Sequence, residues 1–214
     1  MELQLANHLV AGEHLVLHPH RALYWPRHGL LAVSDLHLGK AAHFRKAGAA
    51  LPEGQDAATL QRLDALIKYF APVGVLFLGD LFHSYRNRQW QRFGHWAAGQ
   101  RTRLHLVVGN HDLLTHAEYV AAGLTVVPEY LSTPPVIWSH HPMEHAEGYS
   151  IAGHVHPGIA LRLTSRQQVR LPCFLFGQRG ALLPAFGLST GTYPIQPAAG
   201  DAVFACTERR VMPV

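Results

Sequence analysis

Apolar residues along this chain fall into two regimes, and the change comes near Gly123. Upstream, short apolar runs at 29–33 and 73–78 have the character of strands buried on both faces, and 104–108, apolar but for His105, reads as a third strand. Between the first two, Leu60, Leu63, Leu66, Ile67 and Phe70 recur at helical spacing after Asp56, a candidate N-cap, and Pro72 closes the segment. Trp90, Phe93, Trp96 and Ala97 repeat that spacing within 86–99, with Arg86, Arg88 and Arg92 on the polar side. A short helix is predicted around 114–122. Residues 14–25 read as two short strands around a His18-Pro19-His20 turn, and 41–55, broken by Gly48, Pro52 and Gly54, as a loop. Downstream of Gly123 come short strand-like runs at 124–127, 136–139, 149–152, 159–163, 169–176, 181–183 and 202–206, separated by Pro and Gly. The first half therefore predicts β-α-β-α-β with parallel crossovers and the second half mostly β, together a single α/β domain over 1–214.

Composition narrows the classes without choosing among them. With 48% hydrophobic and 15% charged residues the chain is globular, and its net charge of +4 permits a polyanionic partner but does not require one. Two cysteines, Cys173 and Cys206, are too few for a disulfide framework or a Cys-rich zinc site, so two buried reduced thiols are expected. Met1–His8 lacks the basic-then-apolar order of a secretory leader, and no uncharged apolar run approaches the ~18–20 residues of a membrane span. A soluble cytoplasmic protein without membrane association is the expectation. Histidine is abundant, 17 of 214 residues, so a histidine here carries weight only through its position.

Five strand ends carry polar groups of one chemical kind: Asp35-Leu36-His37, Gly79-Asp80, Gly109-Asn110-His111-Asp112, Ser139-His140-His141-Pro142 and Gly153-His154-Val155-His156. Carboxyl edges of parallel strands are where open α/β sheets bind ligands. Asp35 and His37, like His154 and His156, are two residues apart, so on an extended exit each pair points to one side. Taken singly, each motif is common turn or surface chemistry. Five in one order at strand ends are not accounted for that way. Carboxylates, imidazoles and one amide without a thiolate suit Mn, Fe, Zn or Ni. The donors outnumber the four to six that one ion takes, so two ions sharing a carboxylate fit better.

In this order, Asp-x-His, Gly-Asp, Gly-Asn-His-Asp, His and Gly-His-x-His, the chain resembles the calcineurin-like metallophosphoesterases from Asp35 to His156. The resemblance implies a four-layer α/β/β/α sandwich and two divalent ions that lower the pKa of a shared water, which as a metal-bridging hydroxide is the nucleophile. It implies Asp35, His37 and His156 at the first ion, Asp80 bridging, and Asn110, His140 and His154 at the second, with His141 the fallback for His140. His111 would face the scissile phosphate as proton donor or charge stabiliser, oriented by Asp112.

A narrower likeness, to the bacterial ligase-associated DNA damage response endonucleases, rests on Arg21-Ala22-Leu23-Tyr24-Trp25-Pro26, on 34–45 and on Leu183-Pro184-Ala185-Phe186-Gly187. It implies a manganese-dependent phosphodiesterase acting on DNA in repair, associated with an ATP-dependent DNA ligase and a helicase. Lys40, Arg45 and Lys46 are candidate contacts to a phosphate backbone, and Phe44 to a base. Two other readings compete: a small-molecule phosphodiesterase or pyrophosphatase, for a cyclic nucleotide or lipid-linked diphosphate, and a non-catalytic scaffold of the same fold. The oligomeric state is not encoded in any of these motifs.

Overall fold

A computed structural model of the protein describes residues 3–41, 54–83, 85–145, 147–162, 164 and 167–214. Four strands open the chain: β1 (Ala6–Val10), β2 (Glu13–His18), β3 (Ala22–Trp25) and β4 (Leu30–Val33). They are followed by α1 (Gln55–Phe70), β5 (Gly74–Leu78), α2 (Arg88–Ala98), β6 (Arg103–Val107), α3 (His116–Ala121) and β7 (Leu124–Val127). These seven strands form one sheet in chain order, antiparallel from β1 to β4 and parallel from β4 to β7. Two of the parallel strands, β4 and β5, are buried along their whole length, as their unbroken apolar runs require.

Local chemistry sets the helix starts. The Asn87 side chain accepts from Gln89 N and Trp90 N to cap α2, and Thr115 and Glu118 form a reciprocal capping box on α3. At α1 the cap residue is Gly54 in left-handed backbone, not Asp56. Asp56 lies in the first turn, where its charge favours the positive end of the helix, and it accepts a hydrogen bond from Gly39 N at 3.2 Å.

The second sheet holds β8 (Tyr130–Thr133), β9 (Val136–Ser139), β10 (Tyr149–Ala152), β11 (Pro157–Arg162), β12 (Gln168–Phe176), β13 (Gly180–Leu182), β14 (Tyr193–Pro194), β15 (Ala202–Cys206) and β16 (Val211–Pro213). Its order is β14-β11-β12-β13-β10-β9-β8, with β15 joining β12 and β16. Within it β9 and β10 run parallel, so Ser139 and Ala152 end side by side.

Two apolar cores separate three layers. Leu63 and Leu66 of α1, Trp90 and Phe93 of α2 and Tyr119 of α3 pack on Leu31, Val33, Val75, Phe77 and Leu106 of the first sheet. Its other face contributes Leu17, Leu23, Trp25, Leu76, Leu78 and Val107, which meet Val136, Trp138, Ile151, Phe174 and Phe204 of the second sheet. The mixed α/β class and the paired sheets are as expected. No helix follows Ala121 among the described residues, so the fourth, helical layer implied by the resemblance has no counterpart there. Strands β1, β8, β14 and β16 were not predicted. No described helix is long and apolar enough to cross a membrane. Cys173 and Cys206 are buried free thiols, both pushed up to about 12 by burial.

Candidate metal centre

Backbone pairing continues past the strand ends and brings the ligand loops together. Asp35 N donates to Gly79 O at 3.2 Å, His37 N to Asp80 O at 2.8 Å and Leu38 N to Leu81 O at 3.0 Å, so the exits of β4 and β5 run as one ladder. Gly153 N donates to His140 O at 3.1 Å, joining the exits of β9 and β10. The two sheets are tied by His154 N, which donates to both oxygens of Asp35 at 3.2 and 3.0 Å.

Five of the expected ligands occupy left-handed backbone: Asp35 (φ 53°), His37 (48°), Asp80 (50°), His154 (65°) and His156 (53°). Non-glycine residues adopt that region at a cost and hold it only where surrounding structure imposes it. Here the ladder and the Asp35 contacts impose it, and the result is that side chains from separate loops converge. Glycine is required beside them. A Cβ on Gly109 would meet Asp80 N at 2.3 Å and Asp80 Oδ1 at 2.4 Å.

The converging atoms form three overlapping clusters: Asp35, His37 and His156; Asp35, Asp80 and His140; His140, His141 and His154. His156 Nε2 lies 3.2 Å from Asp35 Oδ1 and 3.4 Å from His37 Nε2. Asp80 reaches both sides, with Oδ2 at 3.6 Å from His37 Nε2 and Oδ1 at 3.4 Å from His140 Nε2. Its two oxygens thus face imidazoles of two different clusters. His140 Nε2 also lies 3.0 Å from Asn110 Oδ1 and 3.2 Å from His154 Nδ1, while its Nδ1 faces Leu78 O at 2.9 Å. A proton on Nδ1 is thereby held by the carbonyl, leaving Nε2 as a lone-pair donor, the arrangement that orients metal-ligating imidazoles. His141 is exposed, but its ring centroid is 4.2 Å from that of His154. Both members of the His140-His141 pair therefore reach His154, and only His140 also meets Asp80 and Asn110.

This donor set fits divalent ions. Asp35 and Asp80 are 0% and 1% exposed, and their ion-pair partners within 4.0 Å among the described residues are imidazoles. Two buried carboxylates need compensating charge. The imidazoles do not supply it by protonation at His37, whose pKa is lowered to about 2 by burial first and then by the Lys40 charge. His154 and His141 are lowered as well, each chiefly by burial. Neutral imidazoles beside carboxylates are the ligand state that metal binding demands.

Two residues of the Gly109–Asp112 turn have different surroundings. His111 is partly exposed; its backbone N–H donates to Asp80 Oδ1 at 2.9 Å, and its ring lies 5.5 Å from that of His37. Asp112 does not orient it. The Asp112 carboxylate accepts from Gly109 N at 2.8 Å, Phe82 N at 3.1 Å and Tyr119 Oη at 3.0 Å, which fastens the turn to the β5 exit and to α3. Burial raises its pKa to about 6 against these hydrogen bonds. The residue that does face His111 is His83, ring centroids 4.2 Å apart, and His83 Nδ1 is 3.1 Å from His37 Nδ1. Sequence reasoning passed over His83. Its one signal is its place three residues after Asp80, on the segment where Leu38 pairs with Phe82.

Lys40 is half-buried within electrostatic reach of Asp80 and Asp35, its ammonium pKa lowered by burial and supported by the two carboxylates. Phe44, Arg45 and Lys46 lie outside the described residues.

A family model, calcineurin-like phosphoesterase, matches residues 29–154. The chain belongs to that family. Among solved structures, this calcineurin-like phosphoesterase is similar to the Pseudomonas putida nuclease MPE, with a TM-score of 0.85 and 31% identity over 99% of this chain and 100% of that one. It also matches YfcE, a phosphoesterase from E. coli, at TM-score 0.45 and 14% identity over 86% of this chain and 97% of that one. A protein of unknown function from Aquifex aeolicus, AQ665, aligns at TM-score 0.43 and 18% identity over 59% and 78%. No curated protein sequence matches. As a member of this family the chain is a metal-dependent phosphoesterase, and its His and Asp clusters are candidate sites for the divalent ions.

Proposed function

We propose that the protein is a binuclear-metal phosphodiesterase that cuts DNA, a nuclease of DNA repair in the cytoplasm. The observation that supports the metal part is Asp80, buried, with one oxygen toward His37 and the other toward His140. Asp35, His37 and His156 would hold the first ion, Asn110, His140 and His154 the second, and Asp80 both. His141 stands beside the second set. Such ions supply an activated water at neutral pH and neutralise phosphoryl oxygens; the donor set suits Mn, Fe, Zn or Ni, and the likeness to DNA damage response endonucleases favours manganese among them.

The chain's own residues do the rest. His111, partly exposed on a turn fixed by Asp112 and by Asp80, is placed to give a proton to the departing alkoxide or to bind a phosphoryl oxygen. His83, against both His111 and His37, limits the orientations that the His111 ring can take. Lys40 adds positive charge at the rim. Support for a nucleic-acid substrate comes from the similarity to a nuclease over nearly the whole chain. An ATP-dependent DNA ligase and a helicase are the functional associates that this reading names.

The test is a cleavage panel of single-stranded, duplex and nicked DNA beside bis-p-nitrophenyl phosphate and a phosphomonoester, with manganese. Cleavage of at least one DNA form supports the proposal. Hydrolysis of the small diester alone would favour a small-molecule phosphodiesterase, and inertness toward every substrate would leave a scaffold.

A further inference from the structure

The two stretches 21–26 and 183–187, which the metal centre does not use, touch each other beside it. Arg21 sits in left-handed backbone (φ 61°) in a turn closed by its N–H to His18 O at 2.9 Å, and Arg21 Nη1 donates to Ala185 O at 3.1 Å. Ala185 is bridged to Ser34, and Gly187 N donates to Asp35 O at 3.2 Å. The same short segment therefore holds the ligand loop on one side and Arg21 on the other. Strand register agrees: β3 runs antiparallel to β4, so the His18–Arg21 turn lies at the edge where β4 delivers Asp35.

Arg62 comes to this turn from the middle of α1. Its guanidinium stands over the buried Phe186 ring, 5.7 Å from the centroid. Arg62 Nη1 is out of contact with solvent and has no hydrogen-bond partner among the described residues, and the same is true of His20 Nδ1. Burial, and then the Arg21 charge, lower the Arg62 pKa to about 10, while Glu208 acts in the opposite sense. Glu208 is exposed, and among the described residues neither Arg62 nor Arg21 has a carboxylate within 4.0 Å. Arg62 is half-buried overall, and a nitrogen sealed from water without a partner is destabilising, more so on a charged group. Two arginines without a carboxylate within 4.0 Å, close enough that the charge of one acts on the other, are an arrangement whose charge an anion's oxygens would balance.

We infer that Arg21, Arg62 and His20 form a second phosphate pocket, which holds a backbone phosphodiester of the strand whose scissile bond lies at the metal centre. This rests on the nucleic-acid reading above. The pocket reads no base. It positions the strand, as phosphate contacts do.

Two measurements test it. The first is binding of a fluorescent single-stranded oligonucleotide across a salt series, with calcium in place of manganese to prevent cutting. Each phosphate contact on a single strand contributes about 0.7 to the log–log salt slope. Arg62→Gln should lower the slope by about that amount, Arg62→Lys should restore most of it, and the exposed control Arg92→Gln should leave it unchanged. The second is titration with inorganic phosphate followed at the arginine side-chain N–H signals, the Arg62 signal being the one missing from Arg62→Gln. It should move on phosphate addition. An unchanged slope in Arg62→Gln, or an Arg62 signal indifferent to phosphate, overturns the pocket even if DNA is cut. A moving signal in a protein that binds no DNA overturns the nucleic-acid source and leaves a site for phosphate alone.

Discussion

Tyr119→Phe separates fastening from catalysis at the Gly109–Asp112 turn. Tyr119 is 1% exposed and donates its hydroxyl to Asp112 Oδ1 at 3.0 Å, so the substitution deletes one buried hydrogen bond and no packing volume beyond the oxygen. A hydrogen bond to an ionised partner is worth about 1.5–3 kcal/mol, and one between neutral groups about 0.5–1.5 kcal/mol. Which applies depends on pH. Burial raises the Asp112 pKa from 3.8 to about 6, so the folded protein binds a proton more tightly than the unfolded chain across that window. The stability contributed by this group is therefore full below 3.8 and is lost as pH rises through about 6. The Tyr119 hydroxyl favours the ionised form and softens that loss. Removing it should cost about 1 kcal/mol near pH 4.5 and about 2 kcal/mol near pH 8. Urea unfolding of EDTA-treated protein at both pH values, read by tryptophan fluorescence, measures this directly, since the Trp90 ring lies 5.4 Å from that of Tyr119. The pH–rate profile of the metal-loaded enzyme should keep its shape, because Asp112 does not touch the His111 side chain. A shifted profile with unchanged stability would refute the reasoning and return Asp112 to the role of orienting His111.

Three other outcomes follow from the same geometry. His111→Ala should keep its metal content and lose about 10²–10⁴-fold in turnover, the usual contribution of a positioned acid or base; a variant with empty metal sites would remove His111 from that role. Gly109→Ala drives a Cβ to 2.3 Å from Asp80 N, so metal content and activity should fall together; full metal occupancy with normal rate would show that the turn yields without moving Asp80. Cys173 and Cys206, buried and with thiol pKa values near 12, should not react with a thiol-specific reagent until the protein is unfolded; fast reaction in the native state would contradict their burial.

The parallel strands and the ligand loops were legible because two local signals coincide there: an unbroken apolar run and a polar motif at its end. The helices on the first sheet were legible from period alone, although the start of α1 was not, since Gly54 supplies the turn and Asp56 is drawn to Gly39 N. What the sequence hid depends on pairing between distant segments. His83 gains its position from the Leu38–Phe82 bridge, and Asp112 loses its expected partner because Tyr119 and two backbone N–H groups reach it first. Adjacent histidines at 140 and 141 looked like alternatives because they are neighbours in the chain. The edge of the second sheet shows that one is buried against Asp80 while the other stands outside against His154. Short strands such as β14 and β16, two and three residues long, offer no period to read.

The central claim is that Asp80 joins two ions in one hydrolytic site. Metal content per chain, measured with the rate of bis-p-nitrophenyl phosphate hydrolysis in the wild type and in Asp80→Ala, tests it most directly. The account predicts two divalent ions per wild-type chain, loss of metal in Asp80→Ala, and turnover abolished with it. A single ion in the wild type, or hydrolysis that survives Asp80→Ala or persists in EDTA, would contradict it.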